Sequence, residues 1–126
     1  MSSSQLETSA FQLPLATLQH LLQVGGDTGK DRRTEPRFIF SVPVRLRPRD
    51  ATRRTLRGFA RDISRSGIGI LAEVAMQPGE LHCLTIDHCE APLLLEAQVV
   101  WCQPAGDGWY MVGCRFVSEV LPPSAN

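Results

Sequence analysis

Arg32-Arg33-Thr34-Glu35-Pro36-Arg37 sets a doubled arginine ahead of a third that lies four residues further on. A guanidinium is a planar fork of donors, suited to gripping phosphate oxygens or a base edge through paired hydrogen bonds. Asp62-Ile63-Ser64-Arg65-Ser66-Gly67 adds an Asp-x-Ser-x-x-Gly, which brings a carboxylate, a hydroxyl and a glycine to one turn. Each cluster also has a plain structural reading: a solvated basic approach to a strand, and a hairpin turn whose Asp and Ser bond their own backbone.

The charge distribution favours an anion. The formal net charge is zero over 126 residues, yet Lys30 to Arg65 holds twelve bases against four acids, a local +8. The remainder carries −8, with Arg115 as its one base. A chain divided in this way can present a local anion-binding surface while staying neutral overall. Twelve of its thirteen bases are Arg, which points to fork-shaped recognition rather than generic charge.

Catalytic signatures are missing: the sequence has no nucleophile elbow, no Gly-rich phosphate loop before a helix and no HExxH. His82-Cys83 and His88-Cys89 repeat a His-Cys pair. Neighbouring side chains on a strand point to opposite faces, so these read as ordinary strand-end residues and no metal or cofactor is expected. Asp87 and Glu90 flank a turn with nothing beside them to raise a pKa. The chain is therefore expected not to be an enzyme. Its four cysteines are dispersed without a CxxC pair and read as free thiols of a reducing compartment. No apolar run approaches the roughly 20 residues of a membrane span, and Met1 to Gln5 lacks the start of a signal peptide, so a cytoplasmic protein is expected.

The elements that must position these clusters are set by periodicity. Leu13 to Val24 has helical spacing, with Leu15, Leu18, Leu21, Leu22 and Val24 apolar, Pro14 in the first turn and Gly25-Gly26 as a stop. This amphipathic helix either docks on the domain or offers its leucine face to a partner or a second subunit. From Arg37 the pattern alternates: Phe38, Phe40, Val42, Val44 and Leu46 fall on one face, and Pro43 suggests an edge or a bulge. Further strands are expected over Thr55 to Ile63, Ile68 to Ala72, Leu81 to Ile86, Leu93 to Cys102 and Trp109 to Phe116. Six short strands joined by tight turns predict an all-β fold, a closed six-stranded antiparallel barrel preceded by the helix. Three segments result: an extension over 1–30, the barrel domain over 31–117 and a tail over 118–126. Trp101 and Trp109, flanking the last hairpin, read as core or cross-strand residues rather than a base-stacking platform.

The arginine cluster, the Asp-x-Ser-x-x-Gly turn and strands ending Val99-Val100-Trp101 and Val112-Gly113-Cys114-Arg115-Phe116 together resemble the PilZ domain, the bacterial receptor module for cyclic di-GMP. The resemblance covers about residues 31 to 117. It implies a non-enzymatic receptor or adaptor in second-messenger signalling, whose arginine loop orders on the dinucleotide and changes the interaction with a downstream partner. Arg33 and Arg37 match the RxxxR of the family, Arg32 stacks on or bonds a guanine, and the doubled arginine implies two ligand molecules. Asp62 accepts from a guanine edge, Ser64 places donors, and Gly67 gives the turn a positive φ and a close approach to the ligand. The tail departs from family members that continue into a covering helix: Ser118 to Leu121 leaves room for about one turn before Pro122. The helix at the amino end is left to cover the barrel or to form a homodimer. Two other readings stay open: a nucleic-acid-binding barrel using Arg45, Arg47, Arg49, Arg53, Arg54 and Arg57, and an adaptor that needs no nucleotide.

Overall fold

The computed structural model describes residues 11–25, 36–49, 54–87 and 92–120. One helix, α1 (Leu15–Gly25), precedes seven strands: β1 (Phe38–Ile39), β2 (Pro43–Pro48), β3 (Leu56–Ile63), β4 (Gly67–Ala72), β5 (Leu81–Ile86), β6 (Leu93–Gly106) and β7 (Trp109–Glu119). All pairings are antiparallel. The order β3-β2-β5-β6-β7-β4 returns to β3, so six strands close into a barrel, and β1 adds to the end of β3 beyond β2. Closure leaves the six with no free edge.

The strand expected over Arg37 to Arg47 breaks into β1 and β2 around Ser41-Val42, yet its alternation survives the break. Phe40, Val42, Val44 and Leu46 face the core, while Ile39, Ser41, Pro43, Arg45 and Arg47 are exposed. Pro43 opens β2, a position where a missing N–H costs the ladder little. At the other end of the sheet, β7 runs as strand through Glu119, where the sequence suggested a turn.

Helix α1 docks on the barrel. The Pro14 carbonyl accepts the Leu18 N–H at 3.0 Å, so Pro14 caps the helix instead of lying within its first turn. Leu13, Leu18 and Leu21 are buried in the same apolar cluster as Phe40, Ile63 and Phe116, whereas Leu15 is exposed. The buried stripe thus takes in Leu13 ahead of the helix and omits Leu15. Burying a leucine side chain contributes roughly 1.5–3 kcal/mol, enough to hold a helix too short to persist alone.

Two bulges set the outer surface. Register with β4 shifts between Ala60 and Asp62, leaving Arg61 as the extra residue in β3. Register with β7 shifts between Val99 and Trp101, leaving Val100 as the extra residue in β6. Each bulge adds one outward residue and so reverses the in-out parity of the rest of its strand. Ala60 and Ile63 are buried with Asp62 facing out between them, and Val99 is buried while Val100 and Trp101 both face out. The hairpin between β6 and β7 closes on Asp107-Gly108, at φ of 57° and 82°, the two positive values a tight two-residue turn requires.

Candidate functional site

Outward placement by the Arg61 bulge brings Asp62 to Arg37, which precedes β1. The Arg37 Nη2 donates to Asp62 Oδ1 at 2.7 Å, with both side chains partly exposed. The Arg37 Nε is buried and meets no acceptor among the described residues. A buried unmet donor is costly, on the order of 1–3 kcal/mol, and it marks this guanidinium as only half satisfied. Asp62 fixes one side of the arginine fork and leaves the rest of it for another acceptor.

The turn after β3 is held from within. The buried Ser64 hydroxyl accepts the N–H groups of Ser66 (3.3 Å) and Gly67 (3.2 Å), and the Ser64 N–H donates to the Gly67 carbonyl at 2.9 Å. Ser64 is therefore committed to its own backbone. Gly67 corrects an expectation, because it is not among the glycines of positive φ (Gly79, Gly106 and Gly108). Its need for hydrogen in place of Cβ comes from β7: a Cβ here would stand 2.4 Å from the Cys114 carbonyl oxygen. The motif glycine permits a close approach, and what approaches is the neighbouring strand. Arg65 ties the same turn to the start of α1, its carbonyl accepting the Leu13 N–H at 2.8 Å and its Nε donating to the Leu13 carbonyl at 2.9 Å.

Beside this pair the outer barrel surface carries two glycines that are covered by side chains from neighbouring strands. Gly69 lies opposite Asp62 in one register and opposite Gly113 in the next, and Gly113 lies opposite Trp101. A Cβ on Gly69 would fall 2.5 Å from Asp62 Oδ1, and one on Gly113 would fall 2.3 Å from the Trp101 indole nitrogen. The carboxylate and the indole thus lie down over glycines, one on each side. The result is a shallow cleft of about 190 Å³, lined by Arg37, Ser66, Gly67, Trp101, Gly113 and Arg115 among others. Arg115, opposite Gly67 in register, is steadied by donating from Nε to Gln98 Oε1 at 2.9 Å.

Of the sequence-expected residues, Arg37 and Gly67 line this cleft, Asp62 adjoins it through its bond to Arg37, and Ser64 is buried beneath the turn. Arg32 and Arg33 lie outside the described residues. Trp101, Gly113 and Arg115 join the cleft without having been singled out for it, and Gly69 lies beneath the Asp62 carboxylate beside it. Trp101 is a cross-strand residue, as expected, but not a core one: it is 40% exposed and forms one wall. The signal in the sequence for Arg115 is its isolation as the single base of the acidic remainder.

A larger groove, about 570 Å³, lies along β2 and β5 and is lined by Arg47, Arg49, Thr55, Cys83, Glu96 and Val120. Its arginines are partly spent, because Arg49 donates to Glu96 there and Arg45 to Asp87 at 2.8 Å nearby. His82 is buried, with Nε2 at 3.2 Å from Glu80 Oε1, while Cys83 faces the groove, so this His-Cys pair cannot share one ion. Cys83, Cys102 and Cys114 are free thiols. Burial, reinforced by Cys102, pushes the Cys114 thiol up to about 12. No helix among the described residues is long and apolar enough to cross a membrane.

The family model described as "PilZ domain" matches residues 31–124. Among solved structures, the PilZ domain of YcgR from Escherichia coli, with c-di-GMP, is similar at TM-score 0.55 and 20% identity, over 68% of this chain and 78% of that one. The Bacillus subtilis inhibitor of motility MotI/DgrA is similar at TM-score 0.56 and 18% identity, over 71% of this chain and 44% of that one. No curated protein matches the sequence.

Proposed function

The chain belongs to the PilZ domain family, and on that premise we propose that it is a receptor for cyclic di-GMP, a binding module rather than a catalyst. The observation that carries the reading is the half-satisfied Arg37 fork, held by Asp62 beside a cleft with an indole wall. Cyclic di-GMP offers phosphate oxygens and guanine O6 and N7 as acceptors, and guanine N1–H and N2–H as donors. Arg37, Arg115 and, from residues 32 and 33, two further guanidiniums meet the acceptors. The Asp62 carboxylate meets the donors, trading part of its bond to Arg37 for a guanine edge. Gly67, Gly69 and Gly113 let β7, the Asp62 carboxylate and the Trp101 indole lie close, which shapes the cleft, and the Trp101 ring flanks a base that enters it. Ser64 acts from below, keeping the turn in shape. The relative from Escherichia coli, whose structure holds c-di-GMP, supports the ligand class.

The stretch over 26–35 joins α1 to Arg37, so ligand capture by Arg32 and Arg33 pulls on the helix. Arg65, bonded to Leu13 from inside the motif turn, gives a second link to the same place. Binding in this reading alters the surface around α1 that a downstream partner sees. Calorimetric titration tests it. The native chain is expected to bind cyclic di-GMP at about micromolar concentration or better, with two ligands per chain. Removing one charge-assisted bond costs roughly 1.5–3 kcal/mol, so Arg33→Ala and Asp62→Ala should each weaken binding by about tenfold or more. No heat of binding from the native protein would end the receptor reading.

A further inference from the structure

We propose that the outer face of β3, β4 and β7 docks a protein segment presenting large apolar side chains flanked by carboxylates. The register sets Pro43 opposite Phe59, Phe59 opposite Leu71 and Leu71 opposite Met111, a row that runs across four strands on the outside of the barrel. Phe59 is 49% exposed, and its ring is tilted against Trp109 with centroids 6.3 Å apart. Outward positions on the far side of the barrel are more mixed: Arg45 and Arg47 on β2, Thr85 on β5, Glu96 and Gln98 on β6 are polar, and Leu81, Cys83 and Leu94 lie among them. A contiguous apolar row among outward positions is the mark of an interaction surface rather than of chance exposure.

Charge complementarity selects the partner. Arg57 and Arg61 flank Phe59 along β3, both exposed, and neither has a carboxylate partner among the described residues. Arg57 stands directly opposite Arg45, a repulsive pairing, and the nearby carboxylate of Asp87 is already taken by Arg45. An aromatic and aliphatic centre rimmed by unpaired arginines is the composition of a binding hot spot, and the complementary rim is Asp or Glu. Phe59 is the one aromatic ring in the row, and Pro43, Leu71 and Met111 on either side of it give successive bases no stacking surface, so the face suits a peptide better than a nucleic-acid strand. The row is next to the candidate nucleotide cleft, since the Met111 methyl would stand 3.2 Å from a Cβ on Gly69. It nevertheless stands without any nucleotide, and its test is run without one.

The probe is a phage-displayed library of random peptides of about 12 residues, a length that spans the row as an extended strand. It is selected on the full chain and counter-selected on Phe59→Ser and Arg57→Glu. Both positions are exposed, and unchanged thermal midpoints will confirm that the variants fold. Enriched peptides should carry two or more large apolar residues flanked by Asp or Glu, and each variant should weaken their binding by about tenfold. Affinity for cyclic di-GMP should be the same in Phe59→Ser as in the native chain. Selection of basic or uncharged peptides, or of none, overturns the proposal, as does binding that neither variant weakens. A dimer in light scattering that Phe59→Ser dissolves assigns the face to a second copy instead. Loss of cyclic di-GMP binding in Phe59→Ser makes it part of the nucleotide floor.

Discussion

At Gly69 a single hydrogen atom decides where a carboxylate can lie. The Asp62 oxygen that would meet an added Cβ, at 2.5 Å, is the same oxygen that accepts from Arg37. Gly69→Ala therefore pushes Asp62 aside and breaks the ion pair, and since Asp62 is partly exposed it can swing into solvent at small cost in stability. Affinity for cyclic di-GMP should fall by about tenfold while the thermal midpoint moves little, as read by calorimetry and a melting curve. Unchanged affinity would mean that Asp62 has no part in the ligand site. Gly67 is a different case, because the atom facing it is the Cys114 carbonyl oxygen, which cannot swing away. The motif residues Arg37, Asp62 and Gly67 were legible in the sequence because their types and order are themselves the pattern. Gly69 and Gly113 were not, since a glycine that makes room for a side chain on the next strand shows its purpose only once the register is fixed.

Elements explain the remaining gap. Strict alternation from Leu95, Ala97 and Val99 would send Trp101 into the barrel. The bulge at Val100 turns it out over Gly113, and no residue type announces that insertion. The Arg61 bulge does the same for Asp62, so the Trp101 wall and the carboxylate that holds Arg37 both depend on an irregularity in strands whose existence and order were otherwise readable. The helix was readable from its leucines, but its docking face was not, because the buried stripe depends on where the barrel end lies. Here the expected outcome is sharp: Leu21→Ala should cost about 2–5 kcal/mol in urea denaturation, since Leu21 is fully buried. Leu15→Ala, at a position 54% exposed, should stay within about 0.5 kcal/mol. Equal effects at the two sites would mean that α1 is not packed on the barrel.

Over the whole molecule, the division into a basic third and an acidic remainder is partly undone by folding. Arg45 meets Asp87 and Arg49 meets Glu96, each pair joining the two halves of the charge distribution. These contacts weaken the case for a nucleic-acid surface on β2 and leave Arg37 and Arg115 facing the cleft. The buried Cys114 thiol sets a limit on stability. The Cys114 thiol rises from 9.0 to about 12, first through burial and then through Cys102. Its folded pKa lies above its unfolded value, so the unfolded chain releases this proton first as pH rises. The contribution is intact below pH 9 and is lost progressively toward 12, at up to about 1.4 kcal/mol per pH unit. Urea midpoints measured across that window should fall for the native chain. For Cys114→Ala they should start lower, because a buried side chain has been trimmed, and decline less steeply. Parallel slopes would show that the thiol is ionised as readily inside the barrel as in the unfolded chain.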